Sequence, residues 1–129
     1  MRISHQKKIE FFFKKLLSPS EAFSLKRRAK RYLKKNTEKE IRILDKLVDG
    51  SKASIDIGVY RGVYSYFLSN LCKYVYAFEA NPLLYDKLLD GFKNNKNIKI
   101  ENVAVSSNSG ETDLRIPIRD ITASFDNEE

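Results

Sequence analysis

From Ile9 to Val48 the apolar positions recur every three or four residues; from Ala53 onward they fall into short β-prone runs separated by Gly, Asn and Pro. The first pattern is helical and the second is that of strands joined by turns and helices. Ile9, Phe12, Phe13, Leu16 and Leu17 form one face of a short helix. Ser18-Pro19-Ser20-Glu21 breaks it and starts another: Ser18 can cap, Pro19 suits the first helical position, and Glu21 can return a hydrogen bond to the cap. The second helix carries Ala22, Leu25, Ala29, Tyr32 and Leu33 on one side. Asn36-Thr37 ends it, and Thr37 with Glu40 can form a second capping box. A third helix then buries Ile41, Leu44, Leu47 and Val48 and stops at Gly50.

Ala53 to Ile57 reads as a strand, Gly58 to Gly62 as a turn, and Val63 to Cys72 as a helix. Tyr74 to Phe78 is a second strand. Asn81-Pro82 is a capped helix start, with Leu84, Leu88 and Phe92 on the inner face. Asn94 to Asn97 is a polar turn, and Ile98 to Val105 is a third strand. Alternating strands and helices at this spacing predict right-handed crossovers and a parallel sheet, an α/β fold. Thr112 to Ile118 is a candidate further strand, at an edge because of Pro117. The tail from Thr122 is polar.

Charge divides the chain. The net charge is +7, yet residues 1–36 hold 12 of the 24 Lys and Arg against only Glu10 and Glu21. The remainder is mildly acidic. The expected organisation is a basic helical arm over 1–36 and an α/β body over 37–129. A solvated helical face explains such an arm. An anionic membrane surface also suits a basic amphipathic helix with Phe on its apolar side. Nucleic acid ranks third, because no recognition motif accompanies the charge. The single cysteine, Cys72, cannot form an internal disulfide and reads as a small buried residue; it points to a reducing, cytoplasmic setting. No run approaches the length of a membrane span, so any membrane association is peripheral.

The chemistry concentrates in Ile55-Asp56-Ile57-Gly58-Val59-Tyr60-Arg61-Gly62, where a strand gives way to a helix. Ligands of open α/β sheets bind outside the carboxyl ends of the strands, where this turn lies. Gly58 lets a ligand approach the backbone, Gly62 lets the chain turn into the helix, and Asp56 can bind an amine or order the loop. Glu79 ends the second strand 23 residues beyond Asp56, about where a nucleotide site places the acid for ribose hydroxyls. Dinucleotide folds want G-x-G-x-x-G for the pyrophosphate. The order here is D-x-G-x-x-x-G. That disfavours a nicotinamide-dependent oxidoreductase. It suits a sulfonium nucleoside, which has no phosphate and needs an acid at each end.

These residues resemble the FkbM-type methyltransferases, which use S-adenosyl-L-methionine and often methylate hydroxyls of sugars, glycans and polyketides. The matching segments are Ile55-Asp56-Ile57-Gly58, Gly62, Tyr64-Ser65, Val75 to Pro82 and Asn102 to Ser106. Gly110 and Thr122 to Phe125 echo later family positions. The resemblance spans roughly residues 38–125 and implies the first, cofactor-binding half of a Rossmann-like class I sheet. It implies that Asp56, Gly58 and Gly62 shape the methionine and ribose pocket. It further implies that Glu79 takes the ribose hydroxyls and that Ala104 and Val105 lie near the adenine. Val59-Tyr60 stands where the family commonly has Ala-Asn. Family members continue into strands that carry acceptor-binding and catalytic groups. No general base or metal ligand set is assigned here, and His5 reads as a surface residue. The expected acceptor is a small molecule or glycan hydroxyl. The alternative is a catalytically inactive cofactor-binding remnant or interaction module that self-associates through the unpaired edge of the first strand.

Overall fold

A computed structural model describes residues 19–35 and 38–117. Within them the protein is α/β, with a parallel three-stranded sheet in the order β1-β2-β3: β1 Ala53–Ile57, β2 Tyr74–Phe78 and β3 Ile98–Glu101. Helix α1 is Glu21–Lys35, α2 the single turn Leu44–Leu47, α3 Val63–Leu71 and α4 Pro82–Gly91. β1 and β2 have the predicted bounds.

Alternation in the strands decides which face is covered. Val75, Ala77 and Ile100 are buried in the core with Leu68 of α3, Leu88 of α4 and Phe92. The opposite face carries Ile55, Ile57 and Tyr76, all exposed. Register places Ile55 beside Tyr76 and Tyr76 beside Lys99 across it. β1 is an edge strand of the described sheet.

Several elements depart from expectation. The helix expected over residues 37–50 is a 3-10 segment, Lys39–Ile43, followed by α2. Ile41 and Leu44 are buried but Leu47 is exposed, because two short segments with a break at Ile43 cannot keep one continuous apolar stripe. The residue preceding the 3-10 segment, Glu38, makes no side-chain cap; Thr37 lies outside the described residues. α1 begins two residues later than the Ser18 cap predicts: Ser20 Oγ accepts from the Phe23 amide at 3.2 Å, so Ser20 caps. β3 ends at Glu101 rather than Val105, and no strand occurs over 112–117. β2 leaves no sheet partner beyond Phe78 for a longer β3 to pair with, since its chain turns into α4. The helix expected from Ile9 to Leu17, Ser18, His5, Ile118 and the tail from Thr122 lie outside the described residues.

α1 lies on α3 and α4, and Leu25 and Ala29 are buried there. Leu25 belongs to the same core as Val75 and Phe92. The basic residues of α1 are therefore mounted on the α/β body.

Candidate functional site

The carboxyl ends of the three strands are bound together by one set of hydrogen bonds. The amides of Gly58 and Val59 donate to the Phe78 carbonyl at 2.9 and 3.3 Å. The Glu79 amide donates to the Glu101 carbonyl at 3.0 Å. Asn102 Nδ2 donates to the carbonyls of Glu79 and Ala80 at 2.8 and 3.1 Å.

Glu79 is the centre of this arrangement. Its Oε2 accepts from the Tyr60 amide at 2.7 Å, and its Oε1 accepts from the Asn81 amide at 2.8 Å. One carboxylate thus joins the loop after β1 to the loop after β2, and it is only 7% exposed. Each oxygen still has a second acceptor position, because an ionised carboxylate offers about four. Asn81 Oδ1 in turn accepts from the Leu83 amide at 3.0 Å and caps α4, with Pro82 in the first turn.

Asp56 does the second of its two expected tasks. Its Oδ2 accepts the Ser65 hydroxyl at 2.5 Å, and the carboxylate also accepts from the Ser65 backbone. α3 starts at Gly62, which has no capping side chain. Ser65 occupies the third helical position, so Asp56 supplies from β1 the cap that the helix lacks locally. Burial pushes the Asp56 carboxyl above its ordinary value of 3.8, the Ser65 hydrogen bonds oppose that, and the Glu79 charge adds to it. Beside it, the Tyr64 hydroxyl is pushed up to about 12 by burial and by its hydrogen bond with Glu38.

The glycines differ in role. Both have positive φ, 77° at Gly58 and 80° at Gly62. A Cβ on Gly58 would meet nothing within 4 Å, so open space adjoins that backbone. A Cβ on Gly62 would meet Leu88 at 2.9 Å and Leu25 and Phe92 at 3.1 Å. Gly62 thus turns its Cα toward the core between α1 and α4, where a side chain would not fit. Tyr60 also has positive φ, 53°, with its ring exposed and the Arg61 guanidinium 5.5 Å from the ring centroid. Arg28 of α1 donates to the Arg61 carbonyl at 2.9 Å.

Asp56, Gly58 and Glu79 therefore come together at one end of the sheet. Ala104 and Val105 are exposed in the irregular segment that follows Asn102. The contributions of the Tyr60 amide and Arg28 could not be read from the sequence, since an amide has no residue signature and Arg28 lies in a run of cations. No family model, curated protein or solved structure matches the chain. Among the described residues no group of His, Cys, Asp and Glu could hold a metal ion, and no helix is long and apolar enough to cross a membrane.

Proposed function

We propose that the chain binds S-adenosylmethionine at the loops after β1 and β2, and that it serves methyl transfer to a sugar-like hydroxyl as the first half of a class I methyltransferase sheet. The observation that carries this reading is the placement of Glu79. Its carboxylate stands at the end of the central strand beside the open backbone of Gly58, with acceptor positions left for a pair of hydroxyls. The loop has no phosphate-cradling glycine pattern, which fits a nucleoside better than a dinucleotide.

The residues fit such a ligand unevenly. Glu79 suits the ribose, and Gly58 leaves room for close approach. Asp56 is engaged with Ser65, so its part is to hold the start of α3 and thereby the loop that would contact the methionine end. When bound, S-adenosylmethionine supplies a sulfonium-activated methyl group. The chain's own contribution is orientation: the Tyr60–Glu79–Asn81 bonds fix both loops before ligand arrives, and positioning can supply several kcal/mol of a barrier, up to about 7–11 kcal/mol.

A second reading, an interaction module that retains cofactor binding without turnover, is favoured by the open sheet face. Ile55 is 66% exposed there beside Ile57 and Tyr76, an apolar surface suited to a partner or another copy. The two readings separate by experiment. Ultraviolet labelling with radioactive S-adenosylmethionine should mark the tryptic peptides 53–61 and 74–87, and S-adenosylhomocysteine should suppress it while NAD does not. Labelling confined to other peptides contradicts the site. Labelling without methyl transfer to any sugar or glycolipid acceptor favours the second reading.

A further inference from the structure

The apolar stripe of α1 is already engaged: Leu25 and Ala29 are buried against α3 and α4. Its outward side carries Phe23, Lys26, Arg27, Lys30, Leu33 and Lys34, all exposed; Leu33, expected beside Leu25 and Ala29 on the inner side, lies at the margin of the packed stripe instead. These positions follow one another at spacings of three, one, three, three and one, which places them on a single helical stripe. Phe23, 57% exposed, and Leu33, 40% exposed, lie at either end of it. They lie ten positions apart along the helix, about 15 Å. After Glu21 the helix contains no acidic residue.

Solvation accounts for the cations of such a stripe but gives no role to the exposed apolar side chains at both ends. A lipid interface accounts for both. Lysine and arginine meet headgroup phosphates, while Phe and Leu enter the boundary with the acyl chains. The single aromatic ring is a poor base-stacking platform, which sets RNA aside, since single-strand binding uses successive aromatic contacts.

We infer that the outward face of α1 is a docking surface for an anionic phospholipid membrane. Docking needs no unfolding, because the helix stays packed on the body through its other side. It also fixes an orientation. Arg28, on the flank of α1, donates to the Arg61 carbonyl at 2.9 Å, so the loop between β1 and α3 adjoins the docked helix. Resting on the function proposed above, the acceptor is then a hydroxyl of a membrane-borne glycan.

The test uses the full chain and vesicles of phosphatidylcholine with or without phosphatidylglycerol. Co-sedimentation should require the anionic lipid and weaken as salt rises. The triple variant Lys26→Gln, Lys30→Gln, Lys34→Gln should lose about fivefold in partition per lysine, about a hundredfold in all. Phe23→Ser with Leu33→Ser should weaken binding while keeping its salt dependence. Residues 1–18 carry further lysines, so unchanged partition in the triple variant, with helicity retained, would assign binding away from α1 and overturn the inference. Equal binding to neutral vesicles, or RNA binding in place of lipid binding, would overturn it as well. S-adenosylhomocysteine binding is measured on the same variants without vesicles. Its loss in the parent chain would remove the functional reading and leave the docking result standing.

Discussion

The Tyr60 amide donates to Glu79 Oε2 at 2.7 Å, and Tyr60 is the non-glycine residue with positive φ among the described residues. The carboxylate therefore holds a backbone conformation that an L-residue resists, by about 1–2 kcal/mol. Removing it as Glu79→Ala leaves two amides without their acceptor. Chemical unfolding should show a loss of about 2–4 kcal/mol, given 1.5–3 kcal/mol for a hydrogen bond to a charged group. Glu79→Gln should lose less, since one amide oxygen still accepts. A Glu79→Ala variant as stable as the parent would show that the two loops are held by other contacts.

The same geometry makes Tyr60 a test of backbone strain. Asn tolerates the left-handed region better than Tyr, and β-branched residues tolerate it worst. Tyr60→Asn should raise the melting temperature, by the equivalent of about 0.5–1 kcal/mol, and Tyr60→Val should lower it. The reverse order would mean that the Tyr60 ring, with Arg61 over it, contributes more than the backbone strain costs.

Gly58 and Gly62 should separate cleanly when each is changed to Ala. Both substitutions meet an unfavourable φ, at roughly 1 kcal/mol. Gly62→Ala also drives a Cβ to 2.9 Å from Leu88 and 3.1 Å from Leu25 and Phe92, so it should cost about 1–3 kcal/mol more. Gly58→Ala should fold and instead weaken ligand binding, because its Cβ enters open space. Equal destabilisation by the two would contradict the difference in their surroundings.

Much of the fold was legible because local chemistry and tertiary packing agree. β1 and β2 are short β-prone runs with sharp turns on both sides, and Asn81-Pro82 is a cap whose geometry is local. The place of Glu79 just after the second strand was legible from the strand pattern. Its amide partners were not, because the contacts run between loops and involve backbone. Asp56 was read with both a ligand role and an ordering role, and the choice depended on Ser65 lying across from it, which spacing alone does not reveal. The 3-10 segment Lys39–Ile43 was missed because its apolar positions also satisfy a helical period. The end of β3 was missed because Val103 and Val105 have strand propensity but, after Glu101, no partner strand beside them.

Asp56 predicts a pH dependence. Its folded value is raised above 3.8, so the folded chain holds this proton more tightly than the unfolded chain. Stability from this group is fully present below the unfolded value and is lost as pH rises through the raised folded value. Asp56→Asn keeps an acceptor for Ser65 and removes the titration. The stability of the parent relative to Asp56→Asn should fall as pH rises across that window; the difference separates Asp56 from Asp49, whose lowered value gives the opposite slope. A difference between parent and variant that rises across the same window would contradict the assignment to burial.

The central claim is that the Gly58 and Glu79 end of the sheet takes an S-adenosyl nucleoside of the S-adenosylmethionine type. Titration calorimetry of the folded chain with S-adenosylhomocysteine and, separately, with NAD tests it most directly. S-adenosylhomocysteine should bind, and Glu79→Ala should weaken it by about 1.5–3 kcal/mol, the value of a charged hydrogen bond. NAD should give no heat of binding. Binding of NAD without S-adenosylhomocysteine, or S-adenosylhomocysteine binding that a folded Glu79→Ala variant leaves unchanged, would contradict the account.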